Sequence, residues 1–269
     1  MPFGMDRRLQ RQAEDMLALA RVLRPTVLHT TTHFTNGLVT AAVAEALGIP
    51  WVYEVRGQLA DTWASTRPEE ARSSRRYRDF KAAEARIMNR ASLVPTLGTV
   101  MAEEITAAGV DPAKIVLLPN AVGEFYLKEP LAPREARLLL GLPADTEIIG
   151  TVSSLVDYEG LDDLLRAFAV LAPKHPQLTC LIAGDGVAAP GLKALAAKLG
   201  IDRRVVFPGR VSRQDAHLYH QALDIFVVPR KDLNVTRAVT PLKPVEAMAC
   251  CTPVVASSLP ALRELVNDG

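Results

Sequence analysis

Short runs of β-branched and other apolar residues recur along this chain, and segments of helical period separate them. In the first half the runs are PTVLHTT (25–31), IPWVYEV (49–55), ASLVPTL (91–97) and KIVLLPN (114–120). In the second half they are EIIGTVS (147–153), LTCLIAG (178–184), RVVFPG (204–209), DIFVVP (224–229) and PVVAS (253–257). The helical segments include Asp6 to about Leu23, GLVTAAVAEALG (37–48) closed by Gly48, Tyr77–Asn89, and a helix ending near Gly109. Strands that are apolar on both faces, joined by helix-length crossovers, predict an α/β chain with parallel sheets covered on both sides. GEFYLKEPLAPREARLLLGLP (123–143) is rich in proline and charge and has no strand pattern. A domain linker is expected there, which gives domains 1–127 and 128–269. Sheets of this kind bind ligands beyond the carboxyl ends of their strands, so the chemistry is sought just after each run.

The bulk numbers narrow the function classes. With 31 Lys and Arg against 30 Asp and Glu the net charge is +1, so nucleic acid is not an expected partner. Cys180, Cys250 and Cys251 are too few and too poorly spaced for a metal site or a disulfide framework, and read as reduced thiols. No apolar run reaches the roughly 20 residues that cross a bilayer, and the first residues lack the pattern of a secretory signal. The expected location is the cytoplasm, at most peripheral to the inner face of the membrane.

One segment stands out, VTPLKPVEAMACCTPVVAS (239–257), directly after DIFVVP and its flanking Arg230 and Lys231. Pro241 and Pro244 suit a helix first turn, whose free N–H groups attract an anion such as a diphosphate. Lys243 adds a mobile positive charge, and the Glu246 carboxylate can accept two hydroxyl protons from a ribose. A glutamate in a first turn is also simply favourable to the helix dipole, so spacing leaves both readings open.

ITAAGVDPAKIVLLPNAV, GTVSSLVDYEGLDDLLRAF, LIAGDG, RVVFPGRVSRQDAHLYHQALDIFVVPR, TPLKPVEAMACCTPVVAS and ELVNDG occur in this order. Together they resemble the retaining, nucleotide-sugar-dependent glycosyltransferases of family 4, whose GT-B fold pairs two Rossmann-like domains. The resemblance implies an acceptor-side first domain and a donor-binding second domain, with a UDP- or GDP-linked sugar as substrate and no other cofactor or metal. It implies that Glu246 binds the donor ribose and that Val239, Thr240, Pro241 and Leu242 approach the diphosphate and sugar. Val205 to Gly209, with Val206, would lie at the base, Gly184 and Gly186 at a turn near the nucleotide, and Gly160 at a helix start beside the phosphates. Asn120 is read as structural.

The departures from the pattern are specific. The family's first glutamate falls at Ala238. The arginine and lysine that grip the diphosphate fall at Ser154 and Glu159, and the histidine near the sugar falls at Arg56. Arg230, Lys231, Arg237 and Lys243 are expected to supply the missing positive charge around the phosphates. Lys243, Arg230 and Arg56 are the expected catalytic residues. The family's glycine-rich first loop is not found, and its final strand and crossing helix are not found after NDG, so the chain reads as truncated at both ends.

His29, His33, His217 and His220 lack the partners of a metal site and read as solvated or core histidines. THFTNG (32–37) follows a strand and opens a helix, so His33, Thr35 and Asn36 are either a helix cap built on Thr35 or Asn36, or acceptor contacts. Asp61 and Trp63 lie in the loop after the next strand and are further acceptor candidates. Between 67 and 90, arginines and lysines outnumber acidic residues, which suits a solvated helix face or a peripheral contact with an anionic membrane.

The expected activity is transfer of a sugar from a nucleotide diphosphate to a sugar or lipid-linked acceptor with retention of configuration, in glycan or polysaccharide biosynthesis. The alternative is a non-catalytic remnant or partner subunit that binds nucleotide weakly or not at all. An epimerase on the same fold is weaker for want of an acid–base pair, and no strand carries the G-x-G-x-x-G of a dehydrogenase.

Overall fold

The computed structural model describes the backbone of residues 3–267 and the side chains of 6–267. Met1, Pro2 and the Asp–Gly pair ending ELVNDG lie outside the described residues. The chain divides into two compact units, 1–119 with 237–239, and 120–236 with 240–269. The sequence places that boundary at 127/128.

The first unit holds four short parallel strands, β1 (Leu28–Thr31), β2 (Trp51–Glu54), β3 (Val94–Thr96) and β4 (Ile115–Leu117). β1 pairs with β2 and β3 with β4, and bridges from Val52 to Leu93 and from Val55 to Thr96 connect the two pairs. The helices are α1 (Phe3–Leu23), α2 (Phe34–Leu47), α3 (Leu59–Ala64), α4 (Arg75–Arg90) and α5 (Thr99–Ala107). α2 is built of small and apolar residues because α1, α4 and β1 all pack against it. Gly37 is part of that fit, since a Cβ there would come 2.3 Å from Ile87 Cγ2. Tyr53, Val94 and Met101 form the centre of this core and are fully buried.

The second unit is a five-stranded parallel sheet of β5 (Glu147–Val152), β6 (Leu178–Ala183), β7 (Val205–Gly209), β8 (Ile225–Val228) and β9 (Val254–Ala256). The strand order is β7-β6-β5-β8-β9. Its helices are α6 (Pro133–Leu139), α7 (Leu161–Leu171), α8 (Ala189–Lys198), α9 (Ala216–Gln221), α11 (Lys243–Ala249) and α12 (Pro260–Arg263), and α10 (Asn234–Ala238) runs to the segment grouped with the first unit. Helices cover both faces. Phe168 and Ile182 are buried in one cluster, and Ile148, Leu181 and Phe226 in another. The near-continuous apolar strands are the consequence of that double burial.

The segment after β2 that holds Asp61 and Trp63, read as a loop, contains α3, and a 3-10 turn follows at Glu69–Ser73. Among the described residues no helix is long and apolar enough to cross a membrane.

Candidate functional site

In the second unit β6 and β7 lie to one side of β5, while β8 and β9 lie to the other. Crossovers therefore leave the sheet in opposite directions between β5 and β8, and such a switch point opens a crevice at the strands' carboxyl ends. The chain supplies Ser153 and Ser154 after β5, and Pro229, Arg230 and Lys231 after β8.

A glycine closes these two strand ends onto each other. Gly160 has φ +69°, and a Cβ there would sit 1.8 Å from the Pro229 carbonyl oxygen. Without that atom the 157–160 turn rests on the end of β8, and Lys231 N donates to the Tyr158 carbonyl at 3.1 Å. The neighbouring Glu159 then meets Arg230, whose Nη2 donates to Oε1 at 2.9 Å and whose Nε donates to Oε2 at 3.2 Å. Lys243, the first residue of α11, reaches in from a third direction. Its Nζ donates to Ser153 Oγ at 2.7 Å and to Glu159 Oε1 at 3.2 Å.

The cluster is nearly dry, with the side chains of Glu159 and Arg230 6% and 8% exposed. Burial alone would raise the Glu159 carboxyl, but Lys243 and Arg230 outweigh it and hold the group below the usual carboxylate range. Burial pushes the Lys243 amine down; Glu159 opposes that shift and Arg230 reinforces it. One carboxylate therefore faces two cations in a low-dielectric pocket.

The sequence candidates take different places in this arrangement. Of the cations among them, Arg230 and Lys243 meet on Glu159. Lys231 turns to Asp162 at 3.0 Å, and exposed Arg237 falls in the segment grouped with the first unit. Glu159 supplies the counter-charge to Arg230 and Lys243. Ser154 is exposed, and the hydroxyl that meets Lys243 belongs to Ser153.

The approach to α11 is fixed by burial of Thr240 and Pro241, with Leu242 half-buried, and by Asn120, whose Nδ2 donates to the Thr240 carbonyl at 3.0 Å. Gly184 sits at the end of β6, where its N–H donates to the Gly209 carbonyl at 2.9 Å, and Val206 is half-buried on β7. One turn along α11 from Lys243, Glu246 is half-buried, with its Oε2 3.7 Å from His220 Nε2. Its carboxylate also faces the Tyr126 phenol, which burial and then Glu246 push well above its ordinary range. Tyr126 and Ser153 were not candidates in the sequence, and the fold brings them to Glu246 and Lys243.

The remaining candidates lie in the first unit. His33 is itself the N-cap of α2, its Nδ1 accepting from Thr35 N at 3.3 Å, so the cap is built on neither Thr35 nor Asn36. Asn36 Nδ2 donates to the Thr31 carbonyl at 3.3 Å. Asp61 is buried and takes the Tyr77 hydroxyl and the Lys81 amine, each at 2.8 Å, so its carboxylate braces α3 against α4 rather than facing an acceptor. Trp63 is half-buried beneath the Arg67 and Arg76 guanidiniums, at 4.5 Å and 5.2 Å from its ring centroid. Arg56 is exposed near Glu54. Among the described residues no three His, Cys, Asp or Glu side chains gather as a metal site.

Comparison with known proteins agrees with this architecture. Residues 2–121 match the glycosyl transferase 4-like domain, and residues 135–269, half of the chain, match glycosyl transferases group 1. The D-inositol 3-phosphate glycosyltransferase of Mycobacterium leprae (strain Br4923) is 37% identical over 164 residues, covering 59% of this chain and 36% of that protein. Its counterpart in Mycobacterium bovis (strain BCG / Pasteur 1173P2) is 35% identical over 170 residues, covering 61% and 33%. The chain thus matches about a third of the length of these relatives. Among solved structures, sucrose-phosphate synthase from Thermosynechococcus elongatus superposes with a TM-score of 0.77 at 23% identity, over 98% of this chain and 64% of that one. Anabaena Alr3699/HepE in complex with UDP and glucose gives 0.73 at 22%, over 96% and 65%. These likenesses establish the GT-B fold, two Rossmann-like parallel-sheet units. The chain belongs to the group 1 glycosyl transferases.

Proposed function

We propose that this chain carries the donor site of a glycosyltransferase that moves a hexosyl or N-acetylhexosaminyl group from a nucleotide diphosphate to an acceptor, with retention of configuration. The observation that carries the reading is α11, which offers Lys243 to a buried charged cluster at the switch point and Glu246 one turn later. A diphosphate beside Arg230 and Lys243 gains charge as the sugar departs, and fixed cations in a dry pocket stabilise that change without reorganising. Glu246 takes the ribose hydroxyls. No side chain is assigned as nucleophile; in this reading the acceptor hydroxyl attacks on the face from which the diphosphate leaves.

UDP is the favoured nucleotide, because the HepE structures are complexes with UDP, with UDP and glucose, and with UDP-glucose. The acceptor is a sugar-like or lipid-linked hydroxyl compound; the mycobacterial relatives are named for an inositol phosphate. Thr35, Asn36 and Trp63 of the first unit are proposed to meet it. The basic 67–90 surface is proposed as a peripheral membrane contact.

Calorimetric titration with UDP, GDP and ADP tests the donor site. Saturable UDP binding, weakened about tenfold in Glu246→Ala, is the expected result. A non-catalytic binding module is the second reading, favoured by Ala238 in the place of the family's first glutamate and by Glu159 already neutralising the cations. Binding without turnover of UDP-glucose supports that reading, and no binding of any nucleotide removes the donor-site assignment.

A further inference from the structure

α9 turns polar side chains inward where a core helix needs apolar ones. His220 is fully buried, and neither ring nitrogen has a hydrogen-bond partner. His217 Nδ1 and Gln221 Oε1, on the same helix, are also buried without one. Burying such atoms unsatisfied is unfavourable, so a histidine that served only to fill space would be better replaced by leucine or phenylalanine. The His220 ring is held firmly. It packs on Phe226 at 5.0 Å between centroids and meets Tyr126 at 6.0 Å, close to edge-on. Thr252 Oγ1 donates to its backbone carbonyl at 3.0 Å. In that orientation Nε2 lies 3.7 Å from Glu246 Oε2.

Glu246 stands at the boundary between this enclosed cluster and solvent, its side chain 20% exposed. A carboxylate that must take two ribose hydroxyls needs one oxygen fixed from behind, because a freely turning carboxylate loses both the geometry and the entropy advantage of a preformed site. Tyr126 borders the carboxylate on another side, its ring set nearly edge-on against His217 and His220.

We propose that His220 is a positioning residue for nucleotide recognition: its Nε2–H faces the inner oxygen of Glu246 and turns the carboxylate so that its outer edge receives the ribose hydroxyls of the donor. The inference rests on the reading of Glu246 as the ribose contact. His220 touches no substrate; it acts through Glu246.

The test compares UDP with 2′,3′-dideoxy-UDP by calorimetry, using the whole chain. Wild type is expected to prefer UDP by roughly tenfold or more, since a site built for hydroxyls rejects an analogue that lacks them. Glu246→Ala should abolish the preference. His220→Phe fills the space without a donor, and should reduce the preference to less than about threefold while leaving affinity for the dideoxy analogue unchanged. His220→Gln places an amide N–H near the Nε2 position and should restore the preference. His220→Asn keeps the amide but falls short of Glu246, and serves in place of the Phe variant should that one not fold. Full discrimination by both His220→Phe and His220→Asn overturns the positioning role, and the ribose reading stands if Glu246→Ala still loses it. Equal affinity of the wild type for the two nucleotides, or binding of neither, overturns the ribose reading and this inference with it.

Discussion

Glu159 sits between two cations, and the pH dependence of the fold follows from it. Its folded-state pKa is depressed, so its contribution to stability is present above the unfolded carboxylate pKa, roughly 4, and is lost as pH falls through the folded value. Glu159→Gln leaves Arg230 and Lys243 buried side by side, and should cost about 3–5 kcal/mol in urea unfolding at pH 7. The gap between variant and wild type should narrow as the solution is acidified. Lys243→Ala should lower the turnover of UDP-glucose by about a hundredfold or more, as expected for loss of a charge that acts on the leaving group. UDP affinity should fall far less, and unchanged turnover would remove Lys243 from the mechanism. Lys243 and Glu246 were legible in the sequence because proline, lysine and glutamate crowd the opening of one short helix. Ser153 was not, because side chains alternate along a strand and a one-residue shift at its end decides which serine points inward. The counter-ion role of Glu159 was hidden by separations of 71 and 84 residues from its partners.

At the scale of elements, the turn at 157–160 is the part on which the charged cluster depends. Gly160→Ala imposes a left-handed conformation on an L side chain and drives a methyl group into the Pro229 carbonyl. A loss of about 3 kcal/mol or more is expected in thermal unfolding, together with weaker UDP binding. Retention of both would show that the turn can move off β8 freely. β3 and β6 were readable because both their faces are buried, which leaves continuous apolar runs. α3 was not, since six residues are too few to show a period. It is held by the tie from Asp61 to Tyr77 and Lys81, a contact that no local pattern encodes. His33 as cap of α2 was missed for a related reason, because an imidazole is an uncommon acceptor at a position that usually holds Ser, Thr, Asp or Asn.

Across the whole molecule, the strand–helix rhythm is interrupted at 123–143, whereas the compact units divide after Pro119 and 237–239 groups with the first unit. A sequence has no marker for a segment that rejoins an earlier unit. UDP at about 100 times its dissociation constant should stabilise the protein by about 2.7 kcal/mol, read as an upward shift in the melting temperature that falls to about 1.4 kcal/mol in Glu246→Ala when binding weakens tenfold. The near-zero net charge adds a selective effect. With +1 overall, the molecule as a whole does not draw anions in, and Glu159 already occupies the two cations at the switch point. A small free anion gains little there, because it must displace a carboxylate that is held at both oxygens. A nucleotide brings its ribose and base contacts as well, and can repay that displacement. Millimolar phosphate or sulfate should therefore leave UDP affinity almost unchanged, a result that competition calorimetry checks, because neither ion displaces the carboxylate that already pairs the two cations.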